Sequence, residues 1–439
     1  MEHWLSRAAA MHPGRVALLS AEGRSLTYAE LEERALRVAG ALLAQGVSAG
    51  EHVALALAGD ELVAAVHGCM LAGAVAVPID LRLSRAERSL RAAGAMAVVD
   101  RDLEGPWLAL SEVAPLHLDR IAVVVHTSGT TAAPRPVGLT FGNWLASALG
   151  SAVALGLDLQ ERWLCPMPLV HVGGLSTAIR SAIYATTVVL HDLPGFETEA
   201  VRAALMDPAQ RITLVSLVPT MLSRLLDAGL CDPPTLRWVL LGGGPIAPAL
   251  LDRARGAAVP VAPSYGMSEG CSQIATQGWP LPGVELRIGE APRTSRREAV
   301  VGEVLVRGAT VAPGSLQRDG WLHTGDLGAL DERGRLTIVG RRADTIVSGG
   351  ENVAPAEVEA VLLEHPAIAD AAVFGRADAE WGEAIVASVV LHAGALAGAE
   401  ELRSHCAARL ARFKVPKAVR FTERLPRTET GKLRRGELG

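Results

Sequence analysis

Short apolar runs alternating with helix-like stretches recur along most of this 439-residue chain. The runs at 53–57, 74–78, 121–125, 186–190, 213–217 and 238–241 are each followed by turn or helix-start residues. Strand-length runs bounded in this way call for a parallel sheet covered by helices. The helical stretches carry their own signals. Thr27-Tyr28-Ala29-Glu30 has the capping-box form, in which hydroxyl and carboxylate each satisfy an amide at a helix start. Leu31, Ala35, Val38, Ala39 and Leu42 then follow at helical spacing until Gly46. A second helix is expected over 61–72. Near residue 300 the texture changes, and 303–306 and 334–339 read as short antiparallel strands. Beyond Gly340 comes a compact strand–helix–strand pattern, with a helix over 355–363 and strands over 345–347, 369–374 and 385–391. The expected class is α/β. A large N-terminal domain over 1–340 holds helix-covered, mostly parallel sheets plus a small antiparallel β region. A small α+β C-terminal domain spans 341–439.

Composition limits the function. Aromatic residues are only 4% of the chain, so the core must be built mainly from Ala, Val and Leu. The net charge is −5 and no long like-charge run occurs, which argues against a nucleic-acid footprint. Cys69, Cys165, Cys231, Cys271 and Cys406 form no C-x-x-C pair, so neither a zinc site nor a redox pair is signalled. Scattered thiols without a disulfide framework fit a reducing cytoplasm. The N-terminus shows no export signal. No uncharged apolar run reaches about 18 residues, so membrane insertion is not expected. The oligomeric state is left open, a homodimer among the options.

Five segments carry chemistry. In Val125-His126-Thr127-Ser128-Gly129-Thr130-Thr131 a buried strand runs into small and hydroxylated residues, whose amides and hydroxyls can wrap phosphate oxygens. It is not the G-x-x-x-x-G-K-[ST] loop. In Ser264-Tyr265-Gly266-Met267-Ser268-Glu269, Tyr265 suits a base, Ser268 a phosphate and Glu269 a hard cation. A surface turn is the plainer alternative. Asp326, between Gly325 and Leu327-Gly328 and placed after a strand, offers an acceptor-only fork for ribose hydroxyls. Gly340-Arg341-Arg342-Ala343-Asp344 leads into Ser348-Gly349-Gly350-Glu351-Asn352, and Thr428-Glu429-Thr430-Gly431-Lys432 closes the series.

In this order, and across nearly the whole chain, the five segments resemble the adenylate-forming superfamily of acyl-CoA synthetases, peptide-synthetase adenylation domains and luciferases. The resemblance implies ATP and Mg²⁺ as cofactors, coenzyme A as co-substrate and a small-molecule carboxylic acid as substrate. Thr127, Ser128, Gly129, Thr130 and Thr131 would cradle the β- and γ-phosphates. Gly242, Gly243, Gly244 and Pro245, with Tyr265, would form the adenine slot, and Gly266 and Met267 would also bind ATP. Ser268 would meet the α-phosphate and Glu269 the Mg²⁺. Asp326 and Arg341 would hold the ribose. Lys432 would bridge the acyl carboxylate and the α-phosphate. Ser348, Gly349 and Gly350 would line the pantetheine tunnel once the mobile C-terminal domain has swung. The family's hinge Asp or Lys aligns with Ala343. The chemistry implied is attack of a carboxylate on the α-phosphorus, loss of pyrophosphate, and displacement of AMP by the CoA thiol.

The phosphate loop departs from the family's Gly-Lys-Pro-Lys-Gly continuation. It reads Ala132-Ala133-Pro134-Arg135-Pro136, with Arg135 where the second lysine would stand. Loss of a transition-state charge contact would slow adenylation by up to about 10²–10³-fold. A non-catalytic nucleotide-binding relative is the alternative that this raises.

Further segments resemble the o-succinylbenzoate–CoA ligases of menaquinone biosynthesis. They are Thr140-Phe141-Gly142-Asn143, Arg162-Trp163-Leu164, the stretch 167–175 and Arg180-Ser181-Ala182-Ile183-Tyr184. A medium-chain or aryl acyl-CoA ligase is the alternative acid specificity. The implied substrate is a diacid with one carboxylate activated and one recognised. Arg180 is the candidate for the recognised carboxylate, since Arg binds carboxylates bidentately. His171 would border the acyl site. The plain alternatives are an exposed helix residue for Arg180 and a packed histidine for His171.

Overall fold

The structure is a computed structural model. It describes residues 2–20, 23–101, 103, 106, 108–109, 112–127, 135–191, 195–289, 301–348, 351–378, 381–428 and 433–438. Four sheets organise the described residues. The largest has nine strands. Its centre runs Val261–Met267, Trp238–Leu241, Leu214–Leu217, Arg162–Cys165, Thr187–Leu190 and Val16–Ser20, all parallel. Antiparallel strands flank it on both sides: Ser25–Thr27 at one end, Ser272–Thr276 and Trp279–Pro280 at the other. A second sheet places Ala97–Val99, His52–Leu55, Val75–Pro78 and Ile121–Thr127 in parallel and adds Arg135–Thr140 antiparallel.

Helices Tyr28–Ala44 and Gly59–Ala72 bury against each other between these layers. The capping box at Thr27 and Glu30 forms as read, with Glu30 Oε2 accepting the Thr27 amide over 2.7 Å. Gly68 explains how closely the helices cross. A Cβ there would lie 2.6 Å from the Cβ of Val38. The core is aliphatic, as the scarcity of aromatic residues requires. Trp144, Trp163 and Tyr28 are its large fully buried rings.

A third, antiparallel sheet orders Val284–Ile288, Gly302–Gly308, Leu322–Leu330 and Leu336–Arg341. Here one expectation is corrected. Asp326 does not follow a strand but lies inside Leu322–Leu330, because hydrogen-bonded neighbours on both sides carry the strand through Gly325 and Gly328. Likewise Tyr265, Gly266 and Met267 are not a surface turn but the end of Val261–Met267, paired to Ser272–Thr276.

The fourth sheet begins after Arg341. Ile346–Ser348 pairs with Glu351–Val353 and, at Gly382, with the long strand Gly382–Leu391. That strand pairs antiparallel with Ile368–Asp378 and parallel with Ala418–Phe421. Helices Pro355–Leu363 and Ala399–Ala407 cover this sheet with a core of its own, including Val358, Leu362, Val373, Ile385 and Leu402. Among the described residues no helix is long and apolar enough to cross a membrane.

Candidate active site

The strand Val261–Met267 leans its Tyr265 ring on the core of the antiparallel sheet. The phenol Oη donates to Asp326 Oδ2 over 2.8 Å. Asp326 is 6% exposed and stands opposite Arg341 in the strand register. Arg341 Nε reaches Asp326 Oδ1 over 3.1 Å, with its side chain half exposed. Burial, and then the negative charge of Asp326, hold the Tyr265 phenol well above its ordinary pKa, so it acts as a donor at neutral pH. Three motifs far apart in sequence therefore meet on one carboxylate. Each carboxylate oxygen has two acceptor sites. Tyr265 engages one oxygen and Arg341 the other.

The glycine segment lies beside this cluster. Gly242 follows Trp238–Leu241, donates its amide to Leu217 O over 3.1 Å, and would place a Cβ 3.0 Å from Ser264 O. Gly243 has φ +79°, a conformation that glycine adopts without strain. Gly242 thus abuts the strand that carries Tyr265, while a Cβ at Gly243 or Gly244 would meet Val218 or Pro219. At Gly266 a Cβ would fall 1.7 Å from Ser272 O, so only glycine lets the hairpin close. Ser268 and Glu269 form the one-turn 3₁₀ segment Ser268–Gly270, whose Glu269 carbonyl accepts the Ala312 amide over 2.8 Å. A half-buried carboxylate is a hard oxygen donor of the kind Mg²⁺ takes together with phosphate oxygens. Among the described residues there is no group of three or more metal-binding side chains.

Thr127 ends the strand Ile121–Thr127 and pairs with Arg135, whose carbonyl accepts the Thr127 hydroxyl over 3.3 Å. Arg135 is exposed. Ser128, Gly129, Thr130 and Thr131 lie outside the described residues, as do Gly349, Gly350 and Lys432. Ser348 is described: it is buried and ends Ile346–Ser348.

His171 stands at the N-cap position of the helix Val172–Tyr184, its side chain making no capping hydrogen bond. Asp80, just beyond the strand Val75–Pro78, lies within its electrostatic reach. Burial raises the pKa of Asp80, but the Arg82 fork at 2.7 and 2.8 Å and the charge of His171 bring it below its ordinary value. Asp80 and Arg82 were not singled out in the sequence; a D-x-R step after a strand was their only signal.

Arg180, on the same helix, is 1% exposed and so is not a helix-surface residue. Its Nη2 donates to Ser147 Oγ over 2.8 Å, and Ser147 Oγ donates in turn to Cys271 O over 2.7 Å. Nε is buried without a hydrogen-bond partner. The acidic groups near it are Tyr184 and Cys271, and burial pushes both up to about 12. Both are neutral at physiological pH. A guanidinium stays protonated even though burial lowers its pKa. Among the described residues Arg180 is a buried cation with no carboxylate partner.

The AMP-binding enzyme family matches residues 5–109 and 98–316, and the AMP-binding enzyme C-terminal domain matches residues 357–432. The chain is 40% identical to the 2-succinylbenzoate–CoA ligase of Bacillus licheniformis over 100% of both proteins. A solved structure of o-succinylbenzoate CoA synthetase from Bacillus subtilis, in complex with the acyl-adenylate intermediate OSB-AMP, matches with a TM-score of 0.89. It is 37% identical and covers 100% of this chain and 98% of that one. The same Bacillus subtilis enzyme in complex with ATP and magnesium ion matches with a TM-score of 0.88 at 37% identity, covering 99% and 98%. With likeness running from end to end, the chain belongs to the AMP-binding enzyme family, in the branch that holds the 2-succinylbenzoate–CoA ligases.

Proposed function

We propose that this chain is an ATP-dependent acid–thiol ligase that converts o-succinylbenzoate, ATP and CoA to o-succinylbenzoyl-CoA, AMP and diphosphate through an acyl-adenylate, in menaquinone biosynthesis. The observation that carries the reading is the meeting of Tyr265 and Arg341 on Asp326. This cluster suits a ribose, with Gly243, Gly244 and Pro245 beside it for the base. Thr127, Ser128, Gly129, Thr130 and Thr131 receive the phosphates, Ser268 faces the α-phosphate, and Glu269 would hold Mg²⁺, which offsets phosphate charge when bound. The aliphatic carboxylate oxygen attacks the α-phosphorus and the bond to the bridging oxygen of pyrophosphate breaks. Lys432, brought by a mobile body over 341–439, steadies the charge that builds up. The CoA thiol, entering past Ser348, Gly349 and Gly350, then displaces AMP.

Arg180 supports a second carboxylate on the substrate, because a buried cation lacking a counter-charge favours an anionic ligand by more than an exposed one does. His171 borders that pocket. Free thiols at Cys69, Cys165, Cys231, Cys271 and Cys406 suit a cytoplasmic enzyme. Mass spectrometry of the products from ATP, CoA and o-succinylbenzoate tests the reading. The thioester together with AMP is expected. Efficient turnover of neutral fatty or aryl acids, with none of o-succinylbenzoate, would refute the acid assignment.

A further inference from the structure

Two arginines flank residues 429–432, one on each side. On the N-terminal side, Arg427 forks onto Asp370, with Nε to Oδ2 at 3.0 Å and Nη2 to Oδ1 at 2.6 Å. On the C-terminal side, Arg435 places Nη1 at 2.6 Å from Glu359 Oε1, Nη2 at 3.1 Å from Oε2, and Nε at 3.1 Å from Asp344 Oδ2. Arg435 Nη1 also donates to the Val373 carbonyl. Glu359 is 8% exposed and accepts the Val373 amide over 2.7 Å as well. The two flanks are tied to each other by the antiparallel bridge between Arg427 and Leu433 and by the Arg434 amide on Pro426 O at 2.9 Å. Beneath them Leu425 and Leu438 bury with Ala372, Phe374 and Val386.

Apolar packing alone would hold this tail down, but it is non-directional and tolerates sliding. Planar forks on carboxylates fix register and angle. Both forks end on the same strand or its covering helix: Asp370 and Val373 lie in Ile368–Asp378, and Glu359 in Pro355–Leu363. Asp344 is different. It lies in the 3₁₀ turn Arg342–Asp344, directly after the strand of the antiparallel sheet that ends at Arg341.

We propose that Arg427 and Arg435 are positioning residues for adenylation: each anchors one flank of residues 429–432, which include Lys432, and Arg435, through Asp344, ties its flank to the junction between the antiparallel sheet and the small sheet. The proposal rests on the reading of Lys432 as the adenylation lysine. A catalytic lysine is useful only if the chain on both sides of it is held, since a displacement of about 1 Å in a catalytic group costs about 10²-fold.

The test uses the full chain and separates the half-reactions: pyrophosphate exchange with o-succinylbenzoate, and thioester formation from a pre-made acyl-adenylate and CoA. Arg435→Ala should lower kcat of the first by about 10–10²-fold, with the KM for ATP little changed and the second half-reaction nearly intact. Combined with Lys432→Ala it should add little further loss, because both variants remove the same contribution. Full additivity, or equal loss in both half-reactions, overturns the proposal. If Lys432→Ala alone retains pyrophosphate exchange, the lysine reading falls and takes the proposal with it. Should Arg435→Ala fail to fold, Arg435→Lys decides, since it keeps the charge and loses the fork. Unaltered exchange in that variant overturns the proposal, and a selective loss supports it.

Discussion

Tyr265 donates its phenolic hydrogen to Asp326 across 2.8 Å, joining the last parallel strand of the large sheet to the centre of the antiparallel sheet. Removing that hydroxyl strips a buried carboxylate of one donor while Arg341 remains. Tyr265→Phe should cost about 1–3 kcal/mol of stability. It should also raise the KM for ATP several-fold, because Asp326 is then less rigidly aimed. Urea denaturation and ATP titration of the adenylation step check both.

Arg180 sets stability against function. A buried charge with no counter-charge is costly, and a flexible apolar side chain of similar length removes that cost. Arg180→Met should therefore keep or raise Tm. The same change should raise the KM for the diacid by about 10²-fold, equivalent to roughly 2.7 kcal/mol of lost ground-state binding. Thermal melts alongside substrate titration separate the two effects. A fall in Tm with unchanged KM would make Arg180 a structural residue.

Gly266→Ala should disrupt the site without touching a polar group. The added methyl would overlap Ser272 O, so the hairpin must open or shift. Overpacking of this kind usually costs about 1–3 kcal/mol and more where backbone opposes it. ATP affinity should fall with stability, since Tyr265 directly precedes the glycine and Ser268 follows two residues after it. Isothermal titration with ATP and a urea series measure the pair.

His67 predicts an acid limb. It is fully buried on the helix Gly59–Ala72, and burial, followed by repulsion from His3, pushes its pKa down from 6.5 to about 4. The unfolded chain takes up a proton below 6.5 that the folded chain refuses until about 4. Stability is therefore undiminished above pH 6.5 and falls between 6.5 and 4, by about 3 kcal/mol in all. In His67→Leu the fall over that window should be shallower by about one proton's worth. Urea midpoints at pH 7, 5.5 and 4.5 give the slopes.

Local patterns were legible where neighbours in sequence decide the outcome. The capping box at Thr27 and the helix Pro355–Leu363 needed only residues within a turn of one another. The parallel sheets followed from strand-length apolar runs. What could not be read were contacts settled by register and packing. Asp326 and Arg341 face each other because two strands pair with a shift between Leu327 and Gly328, and nothing local marks that shift. Arg180 sits at a helical position that, without knowledge of its surroundings, reads as exposed as readily as buried. Arg435 looked like one cation in a basic tail, since its partners Glu359 and Asp344 lie 76 and 91 residues earlier.

Arg341 is both a partner of the carboxylate proposed for the ribose and the last residue of its strand, one peptide bond before the turn that leads to the small sheet. On the proposed reading, a grip on the nucleotide sugar would also be a grip on the point about which the C-terminal body turns. Thermodynamic reciprocity then applies: whatever factor the bound nucleotide lends to one orientation of the C-terminal body must reappear as the factor by which that orientation tightens the nucleotide. Exchange of AMP for a fresh ATP and reorientation of the body would not be independent events, and a change at residue 341 that weakens their coupling would weaken it in both directions alike.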